Sequence, residues 1–155
     1  MDITLLVFYA VLALGISFIC SILEAVVLSV PHTYIAVLQK DGKKSGNTWA
    51  QLKDDDAVKP LTSILTLNTI AHTMGAAGVG SQVQIVLGVE YLTVASVILT
   101  IAVLFFSEII PKTLGTAYWK QLAPITGIIL TYLVKILIVI IIPIQMLKSI
   151  LPKGN

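Results

Sequence analysis

The apolar and polar positions divide the chain into long hydrophobic runs separated by short polar segments. The first run, residues 3–30, contains one charged residue, Glu24, and is followed by Pro31. It exceeds the ~20 residues that a helix needs to cross a bilayer, so we predict a first transmembrane helix here. Ser17, Ser21 and Glu24 recur at helical spacing and share one face of that helix. A polar face on a membrane helix should contact protein or a cavity rather than lipid.

The next segment, residues 32–59, is polar and predicts a helical loop. Asp41 and Gly42 indicate a turn between two short amphipathic helices. Five lysines in this loop favour a cytoplasmic location, which would place the N-terminus outside. Three consecutive aspartates, at positions 54–56, would point in different directions on a helix, so we interpret them as a solvated turn rather than a metal site.

A second transmembrane helix is predicted over about residues 60–80, with Pro60 as its first residue. This stretch is polar for a membrane helix, and Asn68 and His72 lie four residues apart on one face. The glycines that follow would let another helix approach closely. Hydrogen bonding between packed helices is the alternative explanation of these polar side chains.

The third run, about residues 92–115, ends in a charged motif. Glu108, Pro111 and Lys112 follow directly on apolar sequence. A carboxylate in or near hydrocarbon costs several kcal/mol unless it is compensated, so Glu108 is a candidate functional residue. Pro111 should free backbone carbonyls in the preceding turn, and broken helices of this kind form cation sites in membrane proteins. The alternative is a helix that ends at Pro111, with Glu108 and Lys112 as an interfacial ion pair.

The last apolar stretch, about residues 121–151, is long enough to span, but Pro124 and Pro143 should break it. A fourth spanning helix would place Lys148 and Lys153 outside, against the preference of lysine for the cytoplasmic side. We therefore predict broken juxtamembrane helices along the cytoplasmic face.

Composition places the chain among all-α integral membrane proteins with one domain. Of its 155 residues, 57% are hydrophobic and 12% are charged, against about 25% charged in soluble domains. All ten basic residues are lysines, which argues against nucleic acid as a partner. The single cysteine, Cys20, excludes an intrachain disulfide and is interpreted as a small buried apolar residue.

Three polar residues from the three predicted spans share one depth. Counted from the cytoplasmic ends of their helices, Ser21, Asn68 and Glu108 lie roughly 12–15 Å from that surface. Hydroxyl, amide and carboxylate oxygens suit a hard cation such as Mg²⁺. Glu24, one turn from Ser21, could add negative charge.

With these residues, the chain resembles the transmembrane (DUF21) domain of the CNNM/CorC family of magnesium transporters. The resemblance covers about residues 17–120 and rests on four motifs: SILEA at 21–25, KDGKK at 40–44, LTSILTLNT at 61–69 and SEIIPKT at 107–113.

The resemblance implies a homodimer. We expect a multi-pass protein of the plasma membrane that is not an enzyme. The resemblance implies three transmembrane helices and a belt of cytoplasmic helices. It also implies an inward-facing pocket in which Mg²⁺ is the transported substrate and export is coupled to Na⁺. The implied metal ligands are Ser21, Asn68, His72 and Glu108, and the implied supporting or coupling residues are Ser17, Glu24, Pro111 and Lys112.

Two features depart from the family pattern. The family has an amide side chain where this chain has His72, and imidazole favours Mn²⁺, Co²⁺ or Zn²⁺ over Mg²⁺. Either the ion differs, or His72 points away, or its protonation gates the site. Family members also continue into nucleotide-binding CBS domains, so we expect this chain to be either a fragment or a short member.

Two other function classes compete with transport. A non-transporting module could anchor or regulate a partner and hold a cation only as a structural element. An intramembrane metal hydrolase is disfavoured, because no HExxH pair accompanies His72 and Glu108.

Overall fold

The computed structural model describes residues 3–152, so Lys153 lies outside the described residues. The protein is 92% helical, and the described residues contain no strand. The helices are α1 Ile3–Ser29, α2 His32–Lys40, α3 Lys44–Leu52, α4 Val58–Val86, α5 Leu92–Ala102, α6 Ile110–Ala117, α7 Trp119–Ile136 and α8 Ile138–Ile150. A π-helical segment, Val103–Ile109, joins α5 to α6, and short 3₁₀ turns precede α4 and α5.

Helix length and apolar composition confirm an all-α membrane protein. Two continuous helices, Ile3–Ser29 and Val89–Ala117, are long and apolar enough to cross a membrane. The pair α7 and α8, bent by 85°, would make a third if it formed one span. The polar helix α4 is not among these candidates because its hydroxyl, amide and imidazole side chains lower its hydropathy. Its crossing of the membrane stays a prediction.

The helices form two compact units. The first contains the chain up to Ala25 together with Thr66–Ala117, and the second contains Val26–Leu65 and the chain from Tyr118 onward. All eight residues predicted to form or support a cation site lie in the first unit.

Small residues bring the helices of the first unit into close contact. A Cβ atom on Gly75 would collide with Ala13, and one on Gly78 would lie 2.6 Å from Cδ1 of Tyr9. The two contacts advance in opposite directions along α1 and α4, so these helices are antiparallel. On α6, a Cβ atom on Gly115 would lie 2.7 Å from the Cβ of Ala25.

The second unit is built around Trp49 of α3. Its side chain is fully buried, and its Nε1 donates a hydrogen bond to the carbonyl oxygen of Ala123 at 2.9 Å. Trp49 also packs against Gly127 of α7. The expected turn between α2 and α3 is present, with Gly42 at a φ of 70°.

Two predictions about prolines are wrong. Pro124 and Pro143 do not break the last stretch, because each lies within the second turn of its helix, α7 or α8. Each is the sixth residue of its helix, so it removes one backbone hydrogen bond, but the helix continues through it. The break falls at Leu137 instead. Pro60 is not the first residue of its helix, because α4 begins at Val58.

The aspartates at positions 54–56 form the expected exposed turn. Asp55 and Asp56 adopt left-handed φ values of 50° and 56°. Oδ1 of Asp55 forms an ion pair with Nζ of Lys148 of α8 at 3.5 Å.

Candidate cation site

The polar face of α1 is buried within the first unit. Ser17 and Ser21 have almost no exposed surface. A hydrogen bond of 2.6 Å joins Oγ of Ser17 to Nε2 of His72 on α4. One nitrogen of the His72 ring is therefore already engaged by α1, and the tautomer decides which partner donates.

Ser21 contacts the third span through the backbone. Its hydroxyl donates to the carbonyl oxygen of Ser107 at 2.5 Å. The Ser107 hydroxyl in turn donates to the carbonyl oxygen of Leu14 at 3.0 Å. Ser107 was not among the predicted site residues, although a serine directly before Glu108 at the end of an apolar run was a visible signal. This pair of bonds fixes the backbone next to Glu108 against α1.

The backbone around Glu108 is π-helical over Val103–Ile109. At the end of this segment, the Ile110 N–H bonds to the carbonyl oxygen of Phe105, five residues earlier. Such segments are frequent at functional sites because they widen a helix locally. Pro111 is buried as the second residue of α6, which continues to Ala117. The alternative of a helix ending at Pro111 is therefore wrong.

Asn68 presents a buried acceptor without a partner. In the part of the chain that the structure describes, its Oδ1 accepts no hydrogen bond. Asn68 lies one turn before His72 on α4, and Ser21 lies one turn after Ser17 on α1. Because α1 and α4 are antiparallel and Ser17 contacts His72, Asn68 lies at the level of Ser21. An unsatisfied buried acceptor costs about 1–3 kcal/mol, so this oxygen is available to a ligand.

A lysine bridges two carboxylates on different helices. Nζ of Lys112 lies 3.1 Å from Oε2 of Glu108 and 3.4 Å from Oε2 of Glu24. The three side chains are partly exposed, Glu108 least at 26%. The sequence spacing predicted the pair between Glu108 and Lys112, and the structure adds Glu24 from α1.

The first unit thus brings five of the predicted side chains, other than Ser21, and the unpredicted Ser107 into three groups along the face of α1, with Ser21 in the middle group. They are Ser17 with His72, Ser21 with Ser107, and Glu24 with Lys112 and Glu108. The described residues include no cluster of three His, Cys, Asp or Glu side chains that could hold a metal ion. The candidate ligands are instead one carboxylate and neutral oxygens, which are donors for a hard cation. Cys20 is fully buried, as expected for an apolar residue.

Comparisons with known proteins place this arrangement in a family. The family described as the cyclin M transmembrane N-terminal domain matches residues 8–153. The chain is also 30% identical over 133 residues to UPF0053 protein sll1254 of Synechocystis sp., covering 86% of this chain. The chain spans 37% of that relative's length. Since the family match covers nearly the whole chain, the protein belongs to the CNNM (cyclin M) family of membrane proteins.

Proposed function

We propose that the first unit binds a divalent cation and moves it across the membrane, with Mg²⁺ as the substrate. The observation that carries this proposal is the unpartnered Oδ1 of Asn68, buried at the level of Ser21. A buried amide oxygen that accepts nothing from protein is costly, and a cation ligand would satisfy it. Membership of a family related to metal-ion transport supports the same conclusion.

Each proposed ligand has a distinct role. Glu108 supplies negative charge, and Asn68 and Ser21 supply neutral oxygens. The Ser21 hydrogen is directed to the carbonyl of Ser107, so the hydroxyl lone pairs are available to the ion. An all-oxygen set favours Mg²⁺ over softer divalent metals. The hydrogen bond between His72 and Ser17 supports a positioning role for His72 rather than a place among the ligands.

The remaining parts of the proposal rest on the family and on charge distribution. We propose Na⁺-coupled export by a homodimer in the plasma membrane, with the site open to the cytoplasm. The lysines of the loop around α2 and α3 support a cytoplasmic position for that loop. The N-terminus would then lie outside, and α4 would be the second crossing.

The test is flux through purified protein in liposomes that contain a Mg²⁺-sensitive dye. We expect Mg²⁺ transport by the unsubstituted chain and at least a tenfold loss in Glu108→Gln, because the substitution removes the ligand charge. Glu90→Gln is the matched control, since Glu90 is an exposed carboxylate in the 3₁₀ turn Val89–Tyr91. It should retain full transport.

Three outcomes would contradict the proposal. Equal flux in Glu108→Gln would remove the ligand role of this residue. Mg²⁺ binding without flux would support the anchoring module instead. A preference for Mn²⁺, Co²⁺ or Zn²⁺ over Mg²⁺ would assign His72 to the ligand set.

A further inference from the structure

We propose that Lys112 is a tethered competitor of the transported cation: its ammonium group neutralises Glu108 and Glu24 in the substrate-free protein, and the substrate must displace it. This inference rests on the proposed function and adds to it a device that limits affinity.

The geometry of the bridge carries the proposal. Glu108 and Lys112 lie one turn apart on the third span, and Glu24 lies on α1. Nζ of Lys112 approaches one oxygen of each carboxylate, at 3.1 and 3.4 Å. A helical lysine that needed only its neighbour one turn away would not have to reach a second helix. The ammonium instead takes the position between two carboxylates that a small cation would favour.

Lys112 has the chemical form that a displaceable counter-ion needs. The ammonium is a compact charge on a flexible four-carbon stem, and it binds carboxylates as a point charge rather than through a fixed fork. Its side chain is 44% exposed, so the ammonium can move away from the carboxylates without separating the packed helices. The backbone that carries Glu108 is held in place by contrast, because the adjacent Ser107 donates a hydrogen bond to the Leu14 carbonyl of α1.

Charge balance sets Lys112 and a divalent ion in competition for the same carboxylates. Two carboxylates carry a charge of −2, which Lys112 reduces to −1. A divalent ion at Glu108 would lie beside an ammonium that already contacts Oε2 of the same carboxylate. Both cations together would leave an excess of positive charge at two carboxylates, so binding of the ion favours displacement of the ammonium. A transport site must also release what it binds. A built-in competitor lowers affinity without removing any ligand.

The first experiment is a calorimetric titration of the purified chain in detergent with Mg²⁺. We expect Lys112→Met to bind Mg²⁺ roughly tenfold more tightly than the unsubstituted chain, because an opposite charge within ~4–6 Å stabilises a carboxylate by the equivalent of about 1–3 pKa units, and Mg²⁺ must replace that interaction. Lys112→Arg keeps the charge and should not tighten binding. Lys40→Met removes an exposed lysine of α2 and should leave the affinity unchanged.

The outcomes separate this inference from the proposed function. If the unsubstituted chain binds Mg²⁺ and Lys112→Met binds equally or less tightly, the inference is overturned and the proposed function stands. Binding only by Lys112→Met supports competition in its strongest form. If neither chain binds Mg²⁺, both proposals fail.

A second measurement uses the unsubstituted protein and does not depend on a folded variant. Acetylation of Lys112 by acetic anhydride, which transfers one acetyl group to the amine and releases acetate, should increase at saturating Mg²⁺ because the ammonium is released from the carboxylates; peptide mass spectrometry quantifies it. Acetylation of Lys40 should not change. Equal or lower acetylation of Lys112 with Mg²⁺ would overturn the inference.

Discussion

Two buried side-chain oxygens in the first unit lack hydrogen-bond partners within the described residues. Comparing them distinguishes a ligand role from a defect in packing. They are Oδ1 of Asn68 and Oε1 of Gln82, which is 7% exposed. Both impose the same kind of cost on the empty fold. Only Asn68 lies at the level of Ser21, beside the proposed ligands. Substitution of the two residues therefore tests whether the oxygen of Asn68, and not that of Gln82, binds the cation.

Asn68→Leu should stabilise the protein in the presence of a chelator and abolish its stabilisation by Mg²⁺. Replacing an unsatisfied buried acceptor with an apolar group of similar size removes a penalty of about 1–3 kcal/mol. Gln82→Leu should give the same gain in chelator but keep the response to Mg²⁺. Thermal unfolding in detergent, with and without Mg²⁺, measures both effects. An unchanged Mg²⁺ response in Asn68→Leu would remove Asn68 from the ligand set.

Among individual residues, the sequence predicted which side chains share a helix face, because that property depends only on spacing along the chain. The shared face of Ser17 and Ser21, and the spacing of Asn68 and His72, follow from the helical repeat alone. The hydrogen bond of Ser21 to the carbonyl of Ser107 could not be predicted. It depends on which turn of another helix faces α1, and spacing within one helix does not contain that information.

Glycines at particular positions let the helices of the first unit pack closely against one another. Gly75 leaves room for Ala13, and Gly115 leaves room for the backbone of Ile22. Without large apolar burial between them, membrane helices rely on such close packing. Gly80, on the same helix as Gly75, has nothing within 4 Å of where a Cβ atom would lie.

Gly75→Ala should destabilise the protein by about 1–3 kcal/mol, because the added methyl group overpacks the contact with α1. Gly80→Ala should be neutral or slightly stabilising, since alanine favours a helix over glycine by up to about 1 kcal/mol. Unfolding of both variants in mixed detergent micelles compares the two. Equal effects would mean that the contact of α1 with α4 does not depend on this glycine.

Element positions were predictable where composition changes sharply. The end of α1 before Pro31 and the turn at Gly42 were correct. The break in the last stretch was assigned to Pro124 and Pro143 but occurs at Leu137. A proline inside a helix removes one hydrogen bond and usually kinks or breaks the helix, but here both helices continue through their prolines.

At the scale of the whole molecule, the membrane orientation is open to direct measurement. The apolar helices and the family establish a multi-pass membrane protein. Lysines concentrate in the loop that contains α2 and α3, while the turn before α5 contains Glu90 and no lysine. We therefore propose opposite sides of the membrane for these two segments.

Cysteine labelling in intact cells tests this orientation. Cys20 is the single cysteine and is fully buried, so Cys20→Ala gives a background without reactive thiols. In that background, Glu90→Cys should react with a membrane-impermeant maleimide in intact cells. Lys43→Cys should react only after the cells are permeabilised. The reverse pattern would invert the proposed topology, and labelling of both from outside would exclude a crossing by α4.

The π-helical segment Val103–Ile109 also sets the rotation of α6 about the helix axis relative to α5. A π turn accommodates one more residue than an α turn, and one residue corresponds to about 100° of rotation in an α-helix. Its presence therefore changes the rotational phase between α5, which faces outward with its apolar side chains, and α6, which carries Lys112 and Gly115 toward α1. Loss of one residue from this segment would turn α6 relative to α5 while leaving the composition of the span almost unchanged. An insertion or deletion in this segment therefore changes which side chains of α6 face α1. For that reason related chains must be aligned here residue by residue.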